Sequence, residues 1–216
     1  MNILLHKNDL PDNIEIDNSG GCSVAIDTET MGLMPHRDRL CLLQLKCSNS
    51  DVCHLIQFEN FKNSENLKSI LADERILKIF HYARFDMTTI YQHIGVMPKN
   101  VYCTKIASKL SRTYTNSHSL LTLCQDLLGI LISKEETCTD WGNSNLTELQ
   151  KQYAATDVLY LHEIKNKLDT MLKREGRTHM AEKCFNFLET RVLLDLMTYE
   201  SYDIFSHSSC KSAVEF

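Results

Sequence analysis

Residues 23–30 read Ser23-Val24-Ala25-Ile26-Asp27-Thr28-Glu29-Thr30. Ser23 to Ile26 is a short β-branched and apolar run, the pattern of a buried strand, and it ends in two acids. Side chains alternate across a strand, so positions two apart share a face. A strand continuing through Thr28 therefore sets Asp27 and Glu29 side by side. Carboxylates held that close repel and raise each other's pKa, and a divalent cation between them relieves this. Oxygen ligands from clustered acids suit Mg²⁺ or Mn²⁺. A solvated strand end with two surface acids is the other reading, and the rest of the chain has to decide between them.

Outward from this stretch, Gly32 and Pro35 mark a loop after Glu29. Residues 40–46 predict a second strand, apolar on both faces save Gln44 before the terminal lysine. Val52 to Phe58 predicts a third. The short connections predict an antiparallel three-strand meander, preceded over residues 1–20 by an edge segment and a polar turn at 18–21. Helical spacing covers 63–72. A fourth strand runs from Ile76 to Phe80 and ends in His81, and a helix follows from Ala83 to His93, closed by Gly95. Val101 to Thr104 is a fifth short strand, leading into a helix ending near Arg112. An apolar helix spans 120–128, closed by Gly129, and one helix is expected over 147–173. A meander followed by strands alternating with helices implies a mixed α/β sheet covered by helices on both faces.

The 216 residues carry a net charge of −5 and a pI near 6.0. That balance excludes a protein that coats long nucleic acid by bulk electrostatics, though a site with its own cations can still bind a small nucleic acid. No apolar run is long enough to span a membrane, and the N-terminus lacks the pattern of a signal peptide. Nine cysteines without a CxxC pair predict free thiols in a reducing interior. A cytoplasmic chain is expected.

Three further residues extend the acidic pair. Asp86 falls in the first turn of the helix after strand four, and Tyr153 and Asp157 lie one turn apart on a helix face with small residues between them. The set Asp27-x-Glu29, Asp86 and Tyr153-x-x-x-Asp157 resembles the DEDDy signature of 3′–5′ exonucleases. The wider pattern is similar to the ribonuclease D branch, in Leu43-Gln44, Phe85-Asp86, Asp140-Trp141 and Gln150-x-x-Tyr153-Ala-Ala-x-Asp157-Val158. The DEDDh class has a histidine where this chain has Gln152. The resemblance implies a ribonuclease H-like sheet with its catalytic core over about 20–175. A C-terminal helical extension over about 177–206 completes a single domain, with no room for an HRDC module. Pro35 to Cys41, Cys103 to Leu110 and Asp203 to Phe205 are further similar to the nano-RNase C group of compact diribonucleases.

That resemblance implies a two-metal 3′–5′ exoribonuclease acting on short RNA, chiefly dinucleotides such as pGpG, and releasing 5′-mononucleotides. Asp27, Glu29 and Asp157 would hold one Mg²⁺ or Mn²⁺. Asp27 would bridge to a second, supported by Asp86 through water, and Tyr153 would orient the attacking water. Thr28 is expected beside the substrate, and Leu33 is expected to wedge between two bases. Arg112, Tyr114 and His118, after Lys105 and Lys109, read either as a 5′-phosphate cap or as a solvated helix face and loop. His81 reads either as a contact near the site or as a structural histidine, and Trp141 as a packing anchor. The apolar run over 179–197 exceeds one core-facing stripe, which predicts a homo-oligomer, an octamer by resemblance. The last ten residues read as disordered. A broader ribonuclease D-like trimming enzyme and a catalytically silent binding scaffold are the competing functions.

Overall fold

In the computed structural model, residues 1–12, 14, 22–61, 64–132, 140–199 and 204–205 are described; the expected polar turn at 18–21 and the C-terminal tail lie outside them. Among the described residues the strands are β1 (Asn2–Lys7), β2 (Ser23–Thr30), β3 (Leu40–Cys47), β4 (Val52–Gln57), β5 (Leu77–Phe80) and β6 (Val101–Cys103). They form one sheet in the order β1-β4-β3-β2-β5-β6. The β2-β3-β4 meander is antiparallel, as its short connections predict. β5 and β6 join parallel to β2, and β1 lies parallel to β4 at the far edge.

The central strands are buried on both faces, which explains their nearly continuous apolar sequence. On one face Val24, Ile26, Leu43, Leu45 and Ile56 pack with the helices α1 (Glu65–Ala72), α2 (Ala83–Ile94) and α7 (Thr178–Leu194). On the other, Ala25, Leu42, Leu55 and Ile79 pack with α5 (Glu148–Leu159) and α6 (Leu161–Arg174). Helix α3 (Thr104–Ser111) leaves β6 directly. Gly95 and Gly129 close their helices in the left-handed conformation, with φ of +79° and +71°, which is what a helix C-terminus asks of glycine. The apolar helix over 120–128 is α4 (Leu120–Leu123) continued by a π-helical turn, Cys124–Leu128. Among the described residues seven cysteines are free thiols, six of them buried. Among the described residues no helix is long and apolar enough to cross a membrane.

One expectation is corrected. The helix over 147–173 is two helices, Glu148–Leu159 and Leu161–Arg174, meeting at Tyr160, where φ is −103° and ψ −1°. No proline or glycine marks this break. Its cause is tertiary: α5 packs across β2, β3 and β4, whereas α6 turns to pack against α3 and β5.

Helix α7 buries Ala181, Leu188 and Val192 and leaves Met180, Phe187 and Leu193 exposed, as is Met197 in the π-helical turn Asp195–Tyr199 that follows. At its end Asp195 accepts hydrogen bonds from Arg84 Nε at 2.6 Å, Arg84 Nη2 at 2.8 Å and Arg191 Nε at 2.9 Å. This ties α7 to the start of α2. Removing the carboxylate leaves two arginines facing each other in a partly dry corner. Asp195→Ala should lower stability by about 1–3 kcal/mol, between the surface and buried limits for ion pairs; urea unfolding measures it.

Candidate active site

The parallel strands β2, β5 and β6 end at the same edge of the sheet, where α/β folds place their sites. β2 outruns its neighbour: it pairs with β5 only over Ser23–Ala25, and β5 stops at Phe80. The stretch from Asp27 to Thr30 therefore has a free side toward the β5–α2 turn. A register shift against β3 between Glu29 and Thr30 bends this end further.

Alternation along β2 distributes its polar residues. Asp27 and Glu29 face α5, and Thr28 faces α2. Thr28 is buried, and its hydroxyl donates to Asp86 Oδ1 at 2.7 Å. Its backbone N–H also serves that carboxylate. The residue expected beside the substrate is thus the clasp that draws Asp86 around the strand end. The turn carrying α2 there is tight, with Tyr82 in the left-handed region at φ 71°. Asp86 lies in the first turn of α2, where the helix dipole favours negative charge.

On the other side α5 starts in a capping box. Thr147 Oγ1 accepts from Gln150 N–H at 3.1 Å, and Gln150 Oε1 accepts from Thr147 N–H at 2.9 Å. Gln150 Nε2 also donates to the Asp140 carbonyl, tying down the loop that holds Trp141. Ala154, Ala155 and Val158 let α5 lie close on the sheet, which brings Tyr153 and Asp157 over the end of β2. Trp141 is buried as a packing anchor, its ring 6.2 Å from that of Tyr153.

Carboxylate oxygens of Asp27, Glu29 and Asp157 lie within 4.8 Å of one another. Asp86 stands beside them on the Thr28 side. Burial, then the charges of Asp86, Asp157 and Glu29, push Asp27 well above the usual carboxylate range. Burial, then Asp157 and Asp86, do the same to Glu29. Burial raises Asp86 to about 7 against the Thr28 hydrogen bonds, and Asp157 to about 7 against the Tyr153 hydroxyl. Tyr153 itself is pushed up by burial and by the Asp157 charge. Hard oxygen donors in this arrangement fit a divalent cation such as Mg²⁺ or Mn²⁺.

The fold brings Asp27, Glu29 and Asp157 into one cluster, with Asp86 held beside it by Thr28 and Tyr153 bonded to Asp157. Residues 3–173 match the model of the 3′–5′ exonuclease domain. The chain belongs to the 3′–5′ exonuclease family. Ribonuclease D of Bartonella henselae is 32% identical over 180 residues, covering 82% of this chain and 42% of that protein. The chain thus spans about two fifths of the length of the curated ribonucleases D it matches. Brucella melitensis NrnC bound to pGG is 49% identical and superposes with a TM-score of 0.89 over 96% of this chain and 100% of that one. NrnC with bound Mg²⁺ superposes at 0.88, with the same identity and coverage. Escherichia coli RNase D is 27% identical, with a TM-score of 0.70, over 79% of this chain and 44% of that one.

The remaining candidates divide. Leu33 is 81% exposed on a loop that the fold itself shapes. Asp38, gripped by Arg37, accepts the Met34 N–H at 3.0 Å. Gly32 packs so close to Asp38 that a Cβ there would lie 2.2 Å from its carboxylate. Arg112 is corrected: it is wholly buried, ion-paired to Asp126, and donates from Nη1 to the Ser117 carbonyl at 3.1 Å and to Ser108 Oγ at 3.3 Å. Its fork braces the 113–118 loop from inside and is not open to a phosphate. Tyr114, 72% exposed, lies over it. His118 Nδ1 meets Ser108 Oγ at 2.8 Å, and its backbone bonds His81. His81 Nδ1 lies 2.9 Å from Thr104 Oγ1, and burial lowers its pKa to about 3, so it is neutral near pH 7.

The raised acids set a pH dependence. Their folded pKa values exceed the unfolded ones of about 4, so their contribution to stability is full below that value. It is lost as pH rises through about 7. In EDTA the protein should melt lower at pH 8 than at pH 6, and Asp157→Asn should flatten that difference. Equal slopes for the two proteins in a thermal melt series would show that Asp157 is not raised.

Proposed function

We propose that this chain is a metal-dependent 3′–5′ exoribonuclease that hydrolyses very short RNA, dinucleotides above all, to 5′-mononucleotides. The observation that carries the reading is the meeting of Asp27, Glu29 and Asp157 oxygens from β2 and α5 in one cluster. The likeness along the whole length of a protein whose structure holds pGG supports the short substrate. Asp27, Glu29 and Asp157 would hold one divalent ion, with Asp27 and Asp86 serving a second. Such a pair supplies charge stabilisation at the scissile phosphate and makes water acidic enough to attack at neutral pH.

The chain's own groups do the rest. With its pKa raised, Tyr153 keeps its proton at neutral pH, so its hydroxyl positions water and does not act as a base. Trp141 and the capping box hold Tyr153 in place. Thr28 fixes the Asp86 carboxylate. Leu33 would enter between the two bases of a dinucleotide, and neutral His81 with His118 and Tyr114 would flank its 5′ end. The exposed Met180, Phe187 and Leu193 of α7, with Met197 just after it, would be covered by further copies of the chain.

With Mn²⁺ present, the protein should clear pGpG and barely shorten a long 5′-labelled RNA. Progressive trimming of the long strand at a matching rate would favour the broader ribonuclease D-like reading instead. Asp27→Asn should lower turnover by at least about 100-fold, and Tyr153→Phe by on the order of 100-fold in kcat. Wild-type rates in Asp27→Asn would point to a silent scaffold with a contaminating nuclease. Leu33→Ala should raise KM for the dinucleotide about 10-fold, the scale of one lost apolar contact, with kcat little changed; steady-state kinetics separate the two.

A further inference from the structure

Gln44 stands out in β3. Gln57, the other buried glutamine on its face of the sheet, is hydrogen-bonded to Lys7 and to the Asn143 carbonyl. Gln44 is fully buried, and neither its Nε2 nor its Oε1 has a protein hydrogen-bond partner. Its neighbours on that face are Leu42 along the strand and Leu55 across from it on β4. Ala154, Ala155 and Val158 of α5 belong to the same packed layer. A buried carboxamide in such surroundings is costlier than a leucine of similar size. Packing alone therefore does not explain a glutamine here.

The register supplies the explanation. Gln44 is directly opposite Asp27 in the antiparallel β2–β3 pair. Directly opposed side chains share a face, with Cβ atoms about 4.5–5.5 Å apart, so the carboxamide lies at the floor of the acidic cluster, under α5. Its unpartnered Nε2–H donor is therefore on the same face as the Asp27 carboxylate and directly across from it. The opposite positions on either side offer no such donor to the cluster: Glu29 faces Leu42, and Ala25 faces Lys46.

We infer that Gln44 is a positioning residue for the cation site: its Nε2–H donates to the Asp27 carboxylate when a cation draws the acids together, and so fixes which oxygen Asp27 presents to the ion. The inference rests on the reading of the site as a cation site. It assigns Gln44 no contact with substrate. Partners of this kind outside the ligand set are worth about 10–100-fold in metal affinity.

The test uses Gln44→Met, nearly the same volume without a donor, and Gln44→Leu beside it. Calorimetric titration of each full-length protein with Mn²⁺ gives the affinity, and melting in EDTA gives the stability of the cation-free fold. The expected result is Mn²⁺ binding about 10-fold weaker than in the wild type, with a melting temperature in EDTA equal to the wild type's or higher. Affinity within twofold of wild type in a folded variant overturns the inference and leaves the cation site standing. A melting temperature in EDTA that falls in both variants, or failure of both to fold, marks Gln44 as part of the fold's own hydrogen bonding and also overturns it. Absence of Mn²⁺ binding by the wild-type protein is a separate result, and it removes the proposed function itself.

Discussion

Like charges held together against their repulsion are the constraint on which this structure depends. Asp27, Glu29, Asp86 and Asp157 come from three elements far apart in sequence, and the charges of Glu29, Asp86 and Asp157 each raise the pKa of at least one other. Left to itself, a chain would let such acids diverge into water. They converge because the groups that carry them are committed elsewhere. β2 is the middle of the sheet, paired on both sides and buried on both faces. α2 is clamped by the Arg84–Asp195 pair and packed on Met87, Ile90 and Ile94. α5 is pressed onto the sheet by two alanines and a valine. The apolar layers on the two faces thus do the work of holding an electrostatically unfavourable cluster at the sheet edge, and they leave it able to accept divalent positive charge.

The strand's alternation gives this arrangement its economy. One dipeptide step sends Asp27 and Glu29 toward α5, and the residue between them toward α2. Thr28 then joins the two sides, because its hydroxyl and its backbone N–H, left unpaired where β2 outruns β5, both serve Asp86. A strand one residue shorter would lose that free amide. A one-residue slip would reverse the faces and separate the acids altogether.

Most of the fold was legible in the sequence, because it rests on local signals. β-branched and apolar runs marked the strands, short connections marked the meander, and Gly95 and Gly129 marked helix ends. The candidate site was legible for the same reason: Asp-x-Glu states a strand face and Tyr-x-x-x-Asp states a helix face, each within a few residues. What stayed hidden is long-range. The break at Tyr160 has no local breaker and follows from α5 and α6 packing on different partners. Arg112 reads as a surface residue, a phosphate cap or part of a solvated helix face, because Lys105 and Lys109 precede it, yet its partner Asp126 lies fourteen residues further on and takes it inside. Thr28 carried no mark of its clasp, since the acid it holds is fifty-eight residues away. The pattern Gln150-x-x-Tyr153 did announce a fixed helix start, and the capping box shows why a glutamine suits that place.

The two kinds of element around the site differ in how they are fixed, and this bears on what each can specify. The acids and Tyr153 stand on a central strand and two packed helices, where positions are set by the core. Leu33, Tyr114 and His118 stand on loops, yet neither loop is left to the solvent. Buried Asp38 shapes the first from within through Arg37, the Met34 amide and the close approach of Gly32. Buried Arg112 shapes the second through Asp126, Ser108 and the Ser117 carbonyl. In both, one charged residue is withdrawn from the surface and holds its loop from within, while Arg37 and Arg39 of the first loop stay exposed. The loops are thus braced by ion pairs with one buried member, as the acids are held by the apolar core, and both levels of the site are fixed before anything binds.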